Sequence, residues 1–292
     1  MLEKSVLSTE ENIEVENPLP PPLGLAIKAP LQISEFTLAL NQFGLPIAIS
    51  NDDNPLAEPI RSRKVRRIIR ARLRKAGVKF NDRAVDETGE EFCAIAEARA
   101  QRIEVFHRVA RAEGGAKIDI GDEENTRVLV KPGAWSLLKK DSFTVFSRNE
   151  ATLPMAIPAT LSALELLRPY INLDDEQYSI LLAWITYLLV HPKCSSTKYP
   201  ILVLLGEQGS GKSLVCLLLQ RIIDPSTIGL QPLPKNTKDI AIVLNNSHLA
   251  LFDNIRFITP ERSDDLCRAS SGSVITGRTL YTDAGITILP MH

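Results

Sequence analysis

The stretch Tyr199–Ser213, YPILVLLGEQGSGKS, constrains this chain more than any other. Pro200 opens it, and Ile201 to Leu205 form an unbroken apolar run, the pattern of a parallel strand covered on both faces. Gly206-Glu207-Gln208-Gly209-Ser210-Gly211-Lys212-Ser213 then fits G-x-x-x-x-G-K-[ST] in full. Leu214, Val215, Leu217, Leu218, Leu219, Ile222 and Ile223 follow as an apolar helix. Strand, glycine-rich loop and helix in that order predict a phosphate-binding loop. Glycine has no Cβ, so Gly206, Gly209 and Gly211 let the backbone close around phosphate. The loop N–H groups and the helix N-terminus converge on one anionic spot. Residues 206–213 are thus the candidate ATP site, with Lys212 reaching the β- and γ-phosphates and the Ser213 hydroxyl on Mg²⁺.

A second motif completes that site. His248-Leu249-Ala250-Leu251-Phe252-Asp253-Asn254 sets a run of apolar residues before an acid. An Asp at such a strand end is placed to hold the Mg²⁺ hydration shell opposite the loop serine. Ser213 and Asp253 are therefore the expected metal residues, and one βα unit fits between them.

The rest of the composition mostly excludes. At 292 residues, one or two domains are expected, and 44% hydrophobic content is enough for a real core. Cys93, Cys194, Cys216 and Cys267 are scattered without a C-x-x-C pair, which argues against zinc and suits a reducing cytoplasm. The acidic, polar start MLEKSVLSTEENIEVENP is not a signal peptide. The apolar run Ile180–Val190 is far shorter than the roughly 20 residues of a membrane span, so it reads as a buried helix. No membrane partner is expected.

Three regions emerge along the chain. Residues 1–60, broken by Asn17-Pro18-Leu19-Pro20-Pro21-Pro22 and Asn51-Asp52-Asp53-Asn54-Pro55, read as a disordered tail and linker, with a short helix at Ser34–Asn41. Residues 61–150 begin with RSRKVRRIIRARLRK, nine basic residues and no acid. Val65, Ile68, Ile69 and Leu73 share one face, which makes Arg61–Lys75 a basic amphipathic helix. It either contacts the phosphates of DNA, single-stranded in the expected setting, or is a solvated face docked by its apolar stripe. A helix over 83–102 follows. Short runs at Ile103–Val109, Ala116–Ile120, Thr126–Val130, Ala134–Leu138 and Phe143–Phe146 then predict a small antiparallel meander. Trp135, Phe143 and Phe146 read as its core, and His107 as a structural histidine.

Residues 160–292 form the third region. A helix from Asp174-Asp175 to His191 is apolar around nearly its full circumference and should be buried against the sheet of the phosphate-loop core. Asn236 caps a helix over 237–245, and Thr259-Pro260-Glu261 starts another. Thr227–Leu230 reads as a short strand. Val274–Tyr281 and Ile286–Leu289 read as two strands around Thr282-Asp283-Ala284-Gly285. The fold class is α/β.

YPILVLLGEQGSGKS, NNSHLALFDNI, SDDLCRASSG and ITGRTLYTD together resemble the ATPase domain of phage and mobile-element primase-helicase proteins, of the superfamily 3, AAA+-like group. The meander HRVARAEGGAKIDIG…GAWSLL is similar to the segment such proteins carry just upstream. The resemblance implies a P-loop NTPase core, and a homo-oligomeric ring that couples Mg·ATP hydrolysis to DNA unwinding or translocation. It carries Lys212, Ser213 and Asp253 over as nucleotide and metal residues, and Arg278 as a basic position in nucleotide sensing, subunit contact or DNA contact. Relatives that hydrolyse ATP often hold Glu where this chain has Asn254, and an amide orients water but is a poor base. The family pattern continues into a strand with a sensor Asn and an arginine beyond GITILPMH. That departure implies a core incomplete at its C-terminus. The alternative to a helicase-type ATPase is a nucleotide-binding, catalytically incompetent remnant or interaction module. A small-molecule kinase is disfavoured, because no lid-like arginine cluster follows the loop.

Overall fold

The computed structural model describes residues 35–159, 164–194, 197–272, 274–278 and 286–290. It begins with a three-stranded antiparallel meander of β1 (Phe36–Asn41), β2 (Pro46–Ser50) and β3 (Leu56–Pro59). This corrects the reading of the whole of residues 1–60 as tail, and of Ser34–Asn41 as helix; residues 1–34 lie outside the described residues. The turn is the reason. Asn41 Oδ1 accepts from the N–H groups of Phe43 and Leu45, and Gly44 takes φ 80°, which folds β1 back onto β2.

Helices α1 (Arg63–Lys75) and α2 (Asp82–Arg99) cover one face of this sheet. Ser62 and Asn81 cap them by accepting from Val65 N–H and Ala84 N–H. Val65, Ile69 and Leu73 of α1 pack with Phe36, Ala48, Val85, Phe92 and Ala96. Each such buried aliphatic side chain contributes about 1.5–3 kcal/mol.

The chain from residue 102 makes two sheets where one meander was expected. β4 (Arg102–Ile103) pairs parallel with β1, and β5 (Val105–Phe106) joins the same sheet through β10 (Val145–Ser147), which lies parallel to β3. The six-stranded order is β4-β1-β2-β3-β10-β5. Between β5 and the next strand, Arg108 takes φ 56°, and the chain turns out of the first sheet. β6 (Val109–Ala112), β7 (Gly115–Asp119), β8 (Arg127–Lys131) and β9 (Ala134–Leu138) then form a separate antiparallel sheet in sequence order. Phe146 is fully buried, as a core residue should be. Trp135 and Phe143 are not: Trp135 lies on edge strand β9 at 37% exposure, and Phe143 is 96% exposed.

The second half follows from a short helix, α3 (Leu164–Leu167), and a 3₁₀ turn over Arg168–Tyr170. Helix α4 (Asp175–Val190) is capped by Asp174, which accepts from Gln177 N–H. Only one face of α4 is buried, through Leu181, Ile185 and Leu188, while Ile180 is exposed. That face packs on α5 (Lys212–Ile223), and the C-terminal residues Leu189 and Val190 pack on the β6–β9 sheet. Helices α6 (Thr237–Asn245) and α7 (Pro260–Ser270) meet around Ile240, Ala241 and Ala269. Strands β11 (Val274–Arg278) and β12 (Ile286–Pro290) form an antiparallel hairpin.

The parallel sheet expected around the phosphate loop is reduced, among the described residues, to one parallel bridge, Gln231 with Phe252. Ile201–Leu205 is not assigned as strand and is packed on one side only. Leu202 joins the α4–α5 core, whereas Ile201, Val203 and Leu205 are exposed. Thr227–Leu230 likewise forms no strand. No helix among the described residues is long and apolar enough to cross a membrane.

Candidate nucleotide site

The loop 206–211 is shaped by its glycines. Gly211 precedes α5 with φ 82°, a left-handed conformation that an L side chain adopts only at a cost. Gly206 is confined in another way, since a Cβ there would meet Ser210 Oγ at 2.8 Å. The other long helices, α1, α2, α4, α6 and α7, each carry a side-chain N-cap. Helix α5 has none, so its first N–H groups are left for an anion.

Lys212, the first residue of α5, folds back over the loop. Its Nζ donates to Gly206 O at 2.8 Å, to Glu207 O at 2.6 Å and to Ser210 Oγ at 3.1 Å. The ammonium is thereby held by two carbonyls and a hydroxyl of the loop itself. The side chains of Glu207 and Gln208 point into solvent at the rim.

Ser213 meets Asp253. Its Oγ donates to Asp253 Oδ2 at 2.8 Å, across 40 residues of chain. Asp253 is positioned by the bridge beside it: Gln231 N–H donates to Leu251 O, and Asp253 N–H donates to Gln231 O at 3.0 Å. Asn254 follows in a left-handed conformation, φ 58°, and its N–H donates to Asp253 Oδ1 at 2.6 Å. The Ser213 hydroxyl, the Asn254 N–H and the nearby Lys212 charge together hold the Asp253 carboxyl below the usual carboxylate range. Gln231, whose backbone places Asp253, carried no signal in the sequence.

These residues fit a Mg·nucleotide. Magnesium keeps most of its water and takes one or two protein oxygens plus phosphate. A hydroxyl and an ionised carboxylate side by side at the mouth of the glycine loop would supply that set. Among the described residues no cluster of three or more His, Cys, Asp or Glu forms a protein-only metal cage. Arg278 is the last residue of β11, opposite Ile286 of β12.

A second polar cluster lies behind the site, and sequence reasoning missed it apart from marking His107 as structural. Arg108 inserts its guanidinium between the halves, donating to Asp224 Oδ1, Asp119 O, Ile120 O, Leu153 O and Pro225 O. Asp224 Oδ2 accepts from His248 N–H at 2.8 Å and Leu249 N–H at 3.1 Å. One carboxylate thus ties the C-cap of α5 to the segment that leads into Asp253. Lys193 Nζ donates to Ser247 O and Leu244 O from a buried position. Burial lowers its pKa to about 7, with Asp224 opposing. Burial also lowers His107 and His248 to about 4 each.

Residues 164–290 match the family model of the actinomycete integrative conjugative element replication protein. The match begins at α3 and takes in residues 206–213, Asp253 and Arg278, but covers less than half of the chain. No curated protein and no solved structure shows significant similarity to it.

Proposed function

We propose that the chain is a P-loop ATPase of mobile-element replication, which binds Mg·ATP at residues 206–213 and couples its hydrolysis to movement on DNA. The observation that carries the reading is the 2.8 Å hydrogen bond between Ser213 and Asp253, two residues separated by 40 positions. The similarity of residues 164–290 to a replication protein of integrative conjugative elements supplies the replication setting.

The residues divide the work. The first N–H groups of α5 and of its loop take the phosphate oxygens. Lys212 exchanges its bonds to Gly206 O and Glu207 O for phosphate oxygens, which places its charge beside the transferring group. Ser213 Oγ and the Asp253 carboxylate hold Mg²⁺ and its water shell. Mg²⁺, when bound there, would supply charge neutralisation to the phosphates. Asn254 would orient the attacking water, whose proton passes to the phosphate product because an amide is no base.

A second reading, a chain that binds nucleotide without turning it over, draws on Asn254 as well, because an amide beside Asp253 is no general base. Phosphate release from Mg·ATP, with and without single-stranded DNA and with Lys212→Ala as control, decides between them. Turnover that rises with DNA and vanishes in the variant is expected. Tight Mg·ATP binding without turnover would leave the second reading. Equal Mg·ATP binding by parent and Lys212→Ala would end both.

A further inference from the structure

Helix α1 carries more positive charge than its packing uses, and the surplus is sorted onto one face. The flank toward α2 is neutralised in register: Arg61 pairs with Glu90, Arg66 with Asp86 and Arg70 with Asp82. The acids stand four residues apart on α2, and the partners run in the opposite order on α1, as two antiparallel helices require. Lys64 pairs with Glu58 and Arg72 with Glu35. Arg63, Arg67, Arg74 and Lys75 are exposed and pair with no acid among the described residues.

The geometry of the helix makes three of these a line. At 100° per residue, Arg63, Arg67 and Arg74 fall within about 40° of one another, with Arg70, paired to Asp82, at their edge. Val65 and Ile69 lie on the opposite side with Leu73 flanking them, all three buried against the sheet. Eleven residues at 1.5 Å each put the ends of the line about 16 Å apart, about five base-pair steps along a duplex axis at 3.4 Å rise.

We infer that this outer face of α1 binds the phosphate backbone of nucleic acid, with Arg63, Arg67 and Arg74 as its contacts and Lys75 at its end. An anionic membrane is the poorer partner. Surface-binding helices enter lipid by an apolar face, and the apolar face of α1 is already spent on the core. The choice of nucleic acid among polyanions leans on the replication setting proposed above; the charge pattern does not depend on ATP hydrolysis.

The test uses the full chain without nucleotide, so that failure of the ATPase reading leaves it intact. Fluorescence anisotropy of labelled 30-mer single strands and 30-bp duplexes, titrated over a range of NaCl, gives the slope of log affinity against log salt. In Arg63→Gln/Arg67→Gln/Arg74→Gln, that slope should fall by about 2 on single strands and by nearly 3 on duplex. A control that removes the same charge elsewhere, Lys131→Gln/Lys139→Gln/Lys235→Gln, should keep the parent slope. Circular dichroism and thermal melts of both variants should match the parent, since the replaced side chains are exposed. An unchanged slope in the arginine variant overturns the inference, as does an equal fall in the control. So does binding to vesicles with 30% anionic lipid in a parent that leaves both nucleic acids unbound.

Discussion

Arg108 Nε donates to Asp224 Oδ1 at 3.0 Å, a fully enclosed guanidinium against a carboxylate that is itself largely buried. The pair joins two parts of the chain. Arg108 sits at the crossing from the first sheet to the second, and Asp224 closes the helix that begins with Lys212. Removing Arg108 would take a donor from four backbone carbonyls and one carboxylate oxygen, of which Ile120 O and Pro225 O keep the N–H groups of Met155 and Leu153. Breaking a buried pair from one side costs about 3–5 kcal/mol. Arg108→Met should therefore lower the free energy of urea unfolding by about that much. Asp224→Asn, which keeps volume and one acceptor, should cost less. Equal unfolding midpoints for Arg108→Met and parent would contradict the role given to the pair.

The same cluster makes stability pH-dependent. His107 Nδ1 faces Ser147 O, and His248 Nε2 faces Leu188 O, each at hydrogen-bond distance inside the protein. Arg108, Lys193 and Asp224 are the charged groups around them. Both rings have folded pKa values near 4, below the ordinary value of 6.5. The unfolded chain therefore binds more protons between those values, and stability must rise with pH through that window. The contribution of the two rings is complete above about pH 6.5, falls as the pH drops toward 4, and adds no further slope below that. His107→Asn/His248→Gln keeps ring-like donors and removes the titration. Thermal melts at pH 7 and pH 5 should show a smaller loss in this variant than in the parent. An equal loss in both would place the acid sensitivity elsewhere.

How much of this was legible in the sequence varies by region. The backbone of the loop 206–213 was, because its residue types state their own geometry: Gly206, Gly209 and Gly211 stand where φ is positive, and Lys212 folds back over the loop. Asp253 was legible too, and the structure brings it to Ser213. The surroundings were less so. A continuous apolar run at Ile201–Leu205 signals a strand buried on both faces, yet it is packed on one side only, since a run of identical polarity cannot report which face finds a partner. The crossover at Arg108 was hidden for a different reason. Its backbone is left-handed at a residue type that gives no hint of it, and the five bonds that reward that conformation come from segments up to 117 residues away. Residues 36–59 show the limit of reading proline and asparagine as breaks. Asn41 and Gly44 there make a hairpin turn, and the breaks separate strands.

Ser213 and Asp253 should act as a unit toward the metal. With their oxygens 2.8 Å apart, each places the other, and one ion would touch both. Ser213→Ala should abolish most of the Mg²⁺-dependent gain in affinity for a fluorescent ATP analogue, and Asp253→Asn should do the same. The double variant should be little worse than either single, because residues in one network are not additive. Affinity measured in EDTA should change less than threefold in all three, since Lys212 and the loop amides remain. Additive losses would mean that the two side chains serve different parts of the ligand.

Phe143 and Phe146 provide a clean pair for the packing of the first half. Phe146 is fully buried, with the Arg127 guanidinium 4.9 Å above its ring and Phe106 tilted against it at 6.3 Å. Phe143, three residues earlier, is 96% exposed. Its neighbours hold the loop in place without it. Lys117 Nζ donates to Asp141 Oδ1 and Thr144 Oγ1, and Arg127 donates to the carbonyls of Asp141 and Thr144. Phe146→Ala should cost about 3–5 kcal/mol in urea unfolding. Phe143→Ala should stay within about 0.5 kcal/mol of the parent, as surface substitutions do. A large loss at Phe143 would show that its ring is covered in solution, and would return it to the core that its aromatic character suggests.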